Sequence, residues 1–384
     1  MSDWIEISIP SLRGKEYNYL KECVESNYVS SAGPFVKEFE DLIANNIGLL
    51  KNQTVATSCG TTALQLGLLA LGVKPNDLVI LPSYTFIATA NAVSHTGAKP
   101  WIFGTEMDFL TLDPNKLDKE LEIKTFRQNG FTFHNETKQK IACIIPVYVL
   151  GHPPDIEGIK EIANKYSIPV LLDSASGIGS KYKSHKLGKT RLSGIISFNG
   201  NKTITTGAGG IFYSSEQKIV DKVRHLSSTA KCSNKYDHDE IGYNYRMSNI
   251  QAALGLAQVE QLDQIIEEKK MIHKNYKNKL DNYKQFKLIS DPPWGESSHW
   301  LNAIFIKQNH FDSISKLFNK LKEFRIRANY FWKPLHLQKP YKNSLQTDLT
   351  SLNDIQERIL ILPSSPTLKR ADQEKVIEII KSFF

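Results

Sequence analysis

Between about residues 54 and 230, short apolar runs alternate with stretches in which apolar residues recur every three or four positions. This alternation limits the fold more than any other feature of the chain. Each short run reads as a strand buried on both faces, and each periodic stretch reads as a helix that must cover one of those faces. The expected architecture is therefore α/β, a large doubly wound and mostly parallel sheet with helices on both sides. The candidate strands are QTVATS, DLVILPSY, KPWIF, KIACIIPVYV, IPVLLD, GIISFN and GGIFYS, with helices at TTALQLGLLALG and DIEGIKEIANKY.

After these units comes one long amphipathic helix, with Ala252, Leu256, Val259, Leu262 and Ile266 on one face and an end near Leu280. Ser248 and Gln251 mark its start as a capping box. HWLNAIFI, DSISKLFNKLKEF, IRANYF, ILILP and RADQEKVIEIIKSFF then read as a smaller C-terminal α/β unit. A chain of 384 residues can bury two cores, and the expected division is 1–245 for the large domain and 246–384 for the interdomain helix and small domain.

Composition narrows the function. Hydrophobic residues make up 41% and charged residues 23%, the balance of an ordinary folded protein. The net charge of +8 is spread among acidic neighbours, without the basic, aromatic-laced stripe that nucleic acid requires. Cys23, Cys59, Cys143 and Cys232 lie far apart with no metal-ligand spacing, so no metal site is expected and a reducing cytoplasm fits best. No apolar run reaches membrane-spanning length and MSDWIEISIP has no signal-peptide pattern, so a soluble cytoplasmic protein is expected.

Three segments could carry chemistry. The run Val170-Leu171-Leu172 ends in Asp173, and in an open parallel sheet the ligand crevice lies at the carboxyl ends of the strands. An acid there can pair with a cation, although a loop or cap role accounts for an Asp equally well. The second segment, SFNGNKTITTGAGG, holds Lys202 in a polar, glycine-rich turn after a strand. Only a neutral amine attacks a carbonyl, so a desolvated lysine suits Schiff-base chemistry, and a carboxylate on a pyridinium nitrogen suits an electron-sink cofactor. In the third, TSCGTTALQLGLLALG, a strand turns into a helix whose first amides could hold a phosphate. Simple capping, with Thr62 and Gln65 as a capping box, explains that segment as well.

Taken together, VATSCGTTALQLGLLALG, LPSYTFIATANAV, LLDSAS, SFNGNKTITTGAGG, GYNYRMSNIQAALGLAQ and ILPSSPT resemble, in order and spacing, the DegT/StrS group of sugar-nucleotide aminotransferases. The resemblance covers nearly the whole chain. It implies the fold-type-I architecture of pyridoxal 5'-phosphate enzymes and a homodimer with the active site at the subunit interface. Lys202 matches the lysine that carries the cofactor, and Asp173 the acid at its ring nitrogen. Phe86 matches the aromatic stacked on the ring, Gly60, Thr61 and Ser197 the phosphate cradle, and Asn249 a contact reaching the partner subunit's phosphate. Ser176 stands where the group usually carries Gln, Glu or His near the ring hydroxyl, so that contact should be weaker or relayed by water.

The resemblance also implies the reaction. Glutamate would donate an amino group to C4 of a nucleotide-linked 4-keto-6-deoxy sugar, with Lys202 moving the proton. HLSSTAKCSNKYDHDEIGYNYRM, SHWLNAIFI and LHLQKPY resemble enzymes of legionaminic acid and bacillosamine synthesis, which favours a UDP-linked N-acetylated sugar, and perosamine synthases are nearly as similar. His336, Asn302, Tyr330, Trp332 and Lys333 lie in segments that the group uses to shape the acceptor site. The related sugar 3-dehydratases carry His at the position of Lys202, so the lysine speaks against them.

Overall fold

The structure is a computed structural model that describes residues 3–307, 310 and 313–384. Seven strands between Thr54 and Tyr213 form most of the large sheet: β1 (Thr54–Thr57), β2 (Leu78–Pro82), β3 (Lys99–Phe103), β4 (Ile141–Ile144), β5 (Leu171–Asp173), β6 (Ser193–Ser197) and β7 (Gly210–Tyr213). Their order is β1-β7-β6-β5-β4-β2-β3, with β4 and β5 joined by the parallel bridges Ile144 to Val170 and Val147 to Asp173. Only β7 runs against its neighbours. Each of the seven apolar runs thus forms a strand, and the sheet is mostly parallel.

Alternate residues of one strand enter opposite layers, the period-two rule of a pleated sheet. Leu172, Ile196 and Ile211 join a layer with Phe39, Ile80 and Tyr148, while Leu171, Ile195 and Phe212 join a layer with Leu66, Leu81 and Phe305. Two helices that matter for function connect the strands: α1 (Gly60–Ala70) after β1, and α2 (Ala88–His95) shortly after β2.

Where one long helix is expected, the chain forms two, α3 (Asn249–Val259) and α4 (Leu262–Leu280). Gln261 leaves helical geometry at ψ 4°, and the second helix carries Ile272, Tyr276 and Leu280 into a separate core. Periodicity continues across the break, which is why the pattern alone reads as a single element. The capping box forms as expected, with Gln251 N–H donating to Ser248 Oγ at 3.3 Å and Ser248 N–H donating to Gln251 Oε1 at 3.0 Å.

That third core belongs to the small domain, whose sheet has the order β8-β9-β11-β10, from β8 (Phe286–Leu288), β9 (Asn302–Ile306), β10 (Asn329–Tyr330) and β11 (Ile359–Leu362). Two segments cross the division expected from the sequence. Ile5 bridges Ile326, which places the start of the chain on the small domain. Leu345–Gln346 returns to pair with β3 of the large sheet.

Candidate active site

The carboxyl ends of β1, β2, β5 and β6 surround a cavity of about 310 Å³, at the lower end of the range for cofactor pockets. Its lining includes Gly60, Thr61, Phe86, Thr89, Asp173, Ser197, Lys202, Trp300 and Trp332.

Asp173 ends β5 and is buried. Its Oδ2 accepts a hydrogen bond from Thr89 Oγ1 at 2.7 Å, and its Oδ1 accepts from the Ala175 amide at 3.1 Å. Burial raises its pKa above the ordinary carboxylate value, against the lowering effect of these two donors and of the Lys202 charge. A buried carboxylate in that condition gains from a cationic partner at the cavity.

Lys202 sits in the turn between β6 and β7. The turn is tied at its base by Phe198 N–H to Gly209 carbonyl at 2.9 Å and Thr206 N–H to Phe198 carbonyl at 3.0 Å, and Gly207 supplies a left-handed residue at φ 80°. The side chain stays partly open to the cavity. Desolvation brings the amine down to about 8, with the Asp173 charge pulling the other way. At pH 7.5 a pKa of about 8 leaves about a quarter of the amine neutral, against about a thousandth for an ordinary lysine.

Gly60 opens α1 beside Ser197. A Cβ at Gly60 would come 2.9 Å from Ser197 Cβ, so a side chain would close the space where the first amides of the helix meet the cavity. Thr62 Oγ1 accepts from the Cys59 amide at 3.3 Å, so the local cap joins Cys59 to Thr62, not Thr62 to Gln65. The first turn of a helix leaves amides without intrahelical partners, and anions favour that end. Phe86 is 57% exposed at the rim, a large aromatic with a free face.

A carboxylate, a depressed amine, an anion-ready helix start and an open aromatic face around one cavity fit an aromatic cofactor with a cationic ring nitrogen, a carbonyl and a phosphate. The sequence profile of the DegT/DnrJ/EryC1/StrS aminotransferase family matches residues 10–381. The chain belongs to that family. It is 34% identical over 385 residues, 99% of this chain and 96% of the other, to EpsN of Bacillus subtilis, named as a pyridoxal phosphate-dependent aminotransferase. It is 33% identical over 382 residues, 99% of each chain, to GDP-perosamine synthase of Escherichia coli O157:H7. A solved aminotransferase of the family from Brucella abortus superposes with a TM-score of 0.87 at 27% identity, over 96% of this chain and 95% of that one. As a family member this chain is a pyridoxal-phosphate-dependent sugar aminotransferase.

The structure separates the residues expected at the site into two groups. Lys202, Asp173, Gly60, Thr61, Phe86, Ser197 and Trp332 surround the cavity. Ser176, Asn249, Asn302, Tyr330, Lys333 and His336 are not part of its lining. Ser176 turns away and donates to the Tyr148 carbonyl at 2.8 Å, so it is committed to the backbone. Asn249 is fully buried, accepting from Phe35 N–H at 2.9 Å and donating to the Tyr28 carbonyl at 2.9 Å. Its amide pins the chain's own N-terminal segment.

His336 is likewise occupied at both ring nitrogens, by Ser83 Oγ at 2.8 Å and Asn353 Oδ1 at 2.8 Å, and burial lowers its pKa. Asn302 Oδ1 pairs with His273 Nδ1 at 2.8 Å inside the small domain. Tyr330 stacks on Phe318 at 5.0 Å, and Lys333 is exposed. His336 and Asn302 are thus committed to partners inside the fold, while Tyr330 and Lys333 lie at the surface outside the cavity lining. Among the cavity residues that the sequence did not single out are Thr89 and Trp300. Thr89 gives no sequence signal, since it lies within a helix. Trp300 has one, because a buried indole needs a partner for its N–H.

No described helix is long and apolar enough to cross a membrane.

Proposed function

We propose that the protein transfers the amino group of glutamate to C4 of a nucleotide-linked 4-keto-6-deoxy sugar. The observation that carries this reading is the pairing, in one cavity, of a desolvated Lys202 amine with the buried Asp173 carboxylate. Pyridoxal phosphate, when bound, supplies the electron sink that makes the substrate's C–H acidic. The protein's residues do the rest. Lys202 would hold the cofactor and would carry a proton to and from the reacting carbon, a task that favours an amine pKa near working pH. Asp173, held by Thr89 and Ala175, would pair its charge with the cofactor's ring nitrogen. The start of α1 would hold the phosphate, and Phe86 would cover a ring face.

Lys202 is the one cation in the described lining, so the carboxylate of the donor and the diphosphate of the sugar nucleotide need positive groups from elsewhere. A second copy of the chain is the natural source. Tyr28, Val29, Ile241 and Ile250 are exposed apolar residues suited to such a contact.

The relative named GDP-perosamine synthase supports a GDP-linked acceptor, whereas the HLSSTAKCSNKYDHDEIGYNYRM and LHLQKPY segments support a UDP-linked N-acetylated one. A panel of GDP-, UDP- and dTDP-linked 4-keto-6-deoxy sugars, incubated with glutamate and followed by 2-oxoglutarate release, decides between them. Turnover with one nucleotide class assigns the acceptor. No turnover with any of them, by protein that holds the cofactor, refutes the sugar-nucleotide reading.

A further inference from the structure

Trp300 belongs to the segment that leads into β9 of the small domain, yet its ring reaches the large domain's cavity. Lys202 Nζ lies 3.8 Å from the ring centroid. Trp300 is 3% exposed, and its side chain and its backbone are each held by one hydrogen bond. Its Nε1–H donates to the carbonyl of Asn201, the neighbour of Lys202, at 2.6 Å, and its own carbonyl accepts from Lys269 Nζ at 3.1 Å. Lys269 also donates to the Ser364 carbonyl at 2.8 Å, so α4 ties the segment before β9 to the one that follows β11. Trp332 stands beside Trp300 at 6.3 Å and Phe86 beside Trp332 at 6.1 Å, which continues the aromatic wall to the rim.

We propose that Trp300 is a positioning residue for Lys202: its π face holds the lysine amine as a cation at one place beside the cavity whenever the amine is not attached to the cofactor. The proposal rests on the assignment of Lys202 as the reactive amine. Among the described residues no hydrogen-bond acceptor serves Lys202 Nζ, so the ring is the contact that locates it. A free lysine has a flexible four-carbon stem, and a proton carrier must return to the same point in each turnover. An indole face attracts an ammonium most strongly where water is excluded. Trp300 therefore opposes the effect of burial, and does so without the hydrogen bond by which a carboxylate would hold the proton tightly.

The charged and titratable groups around the pair come from three elements. Asp173, at the end of β5, raises the affinity of Lys202 for its proton. Lys269 on α4 meets the carbonyl side of Trp300, away from the ring's contact with Lys202. His299 precedes Trp300 and stacks on His273 of α4 at 3.7 Å, and burial keeps both imidazoles below their usual pKa.

The test uses the full chain freed of cofactor and measures the rate at which Lys202 reacts with a small amine-directed electrophile such as cyanate across a pH series. Peptide mass spectrometry separates Lys202 from the other lysines. Replacing the π face in Trp300→Leu is expected to lower the apparent pKa of Lys202 by roughly one unit, whereas Trp300→Phe keeps most of it. A ring-fluorinated tryptophan at position 300 keeps the shape and the N–H while weakening the π face, and should give an intermediate fall. This variant decides the matter if the leucine variant fails to fold. An unchanged or raised pKa with the fluorinated ring, or in folded Trp300→Leu, overturns the proposal. Because no cofactor is present, the outcome is independent of whether Lys202 carries the cofactor in the loaded enzyme.

Discussion

Lys269 offers a prediction whose size follows from the structure. Its side chain is 1% exposed, donates to two backbone carbonyls and faces no acid, and burial brings it down to about 7. In the unfolded chain the same amine titrates near 10.5. Between these values the unfolded state binds a proton that the folded state has released, so stability rises with pH through the window from about 7 to 10.5. Integrating one such group from pH 7 to pH 9 gives about 2 kcal/mol of added stability. Lys269→Met removes the titration but leaves the Trp300 and Ser364 carbonyls without their donor. The variant should therefore be less stable at pH 9 and should lack this share of the pH dependence. Urea unfolding of cofactor-free wild type and variant at pH 7 and pH 9 measures both effects. Equal changes in stability between the two pH values would show that Lys269 stays charged in the folded protein, and would refute the reasoning.

The other predictions concern the cavity and its surroundings. Asp173→Asn should leave the fold and cofactor attachment in place while lowering kcat by roughly 100-fold or more, because the ring nitrogen loses its anionic partner; steady-state kinetics with saturating cofactor checks this. Gly60→Val places a side chain against Ser197, where even a Cβ would approach to 2.9 Å, and should weaken cofactor binding at least roughly tenfold in an equilibrium titration. His336→Phe should lower stability by about 1–3 kcal/mol, since Ser83 and Asn353 lose a buried partner, with the KM for the sugar nearly unchanged. Denaturant unfolding beside a KM measurement separates that outcome from a substrate contact.

The elements of the large sheet were legible because each is a short, wholly buried apolar run, and burial on both faces leaves a strong trace in sequence. Asp173 was legible for a related reason, since it ends such a run where a parallel sheet opens its crevice. Lys202 needed its setting as well, a polar turn closed by Gly207 and Gly209. The partners of buried polar side chains were not legible. His336 meets Ser83, 253 positions away, and Asn249 meets Tyr28, 221 positions away. Nothing in the local pattern distinguishes an imidazole or amide that faces a ligand from one that completes a hydrogen bond inside the fold. The break at Gln261 leaves no trace in the pattern because both helices keep their apolar face in phase. Trp300 escaped because its role depends on a ring crossing from one domain to the other.

We propose that Lys202 carries the cofactor, and reductive trapping tests this assignment. Wild-type protein loaded with pyridoxal phosphate and treated with borohydride should lose its visible absorbance band and gain one covalent adduct, located on the peptide that contains Lys202, while Lys202→Ala gains none. An adduct on another lysine, or no adduct on protein that is folded and saturated with cofactor, would contradict the account.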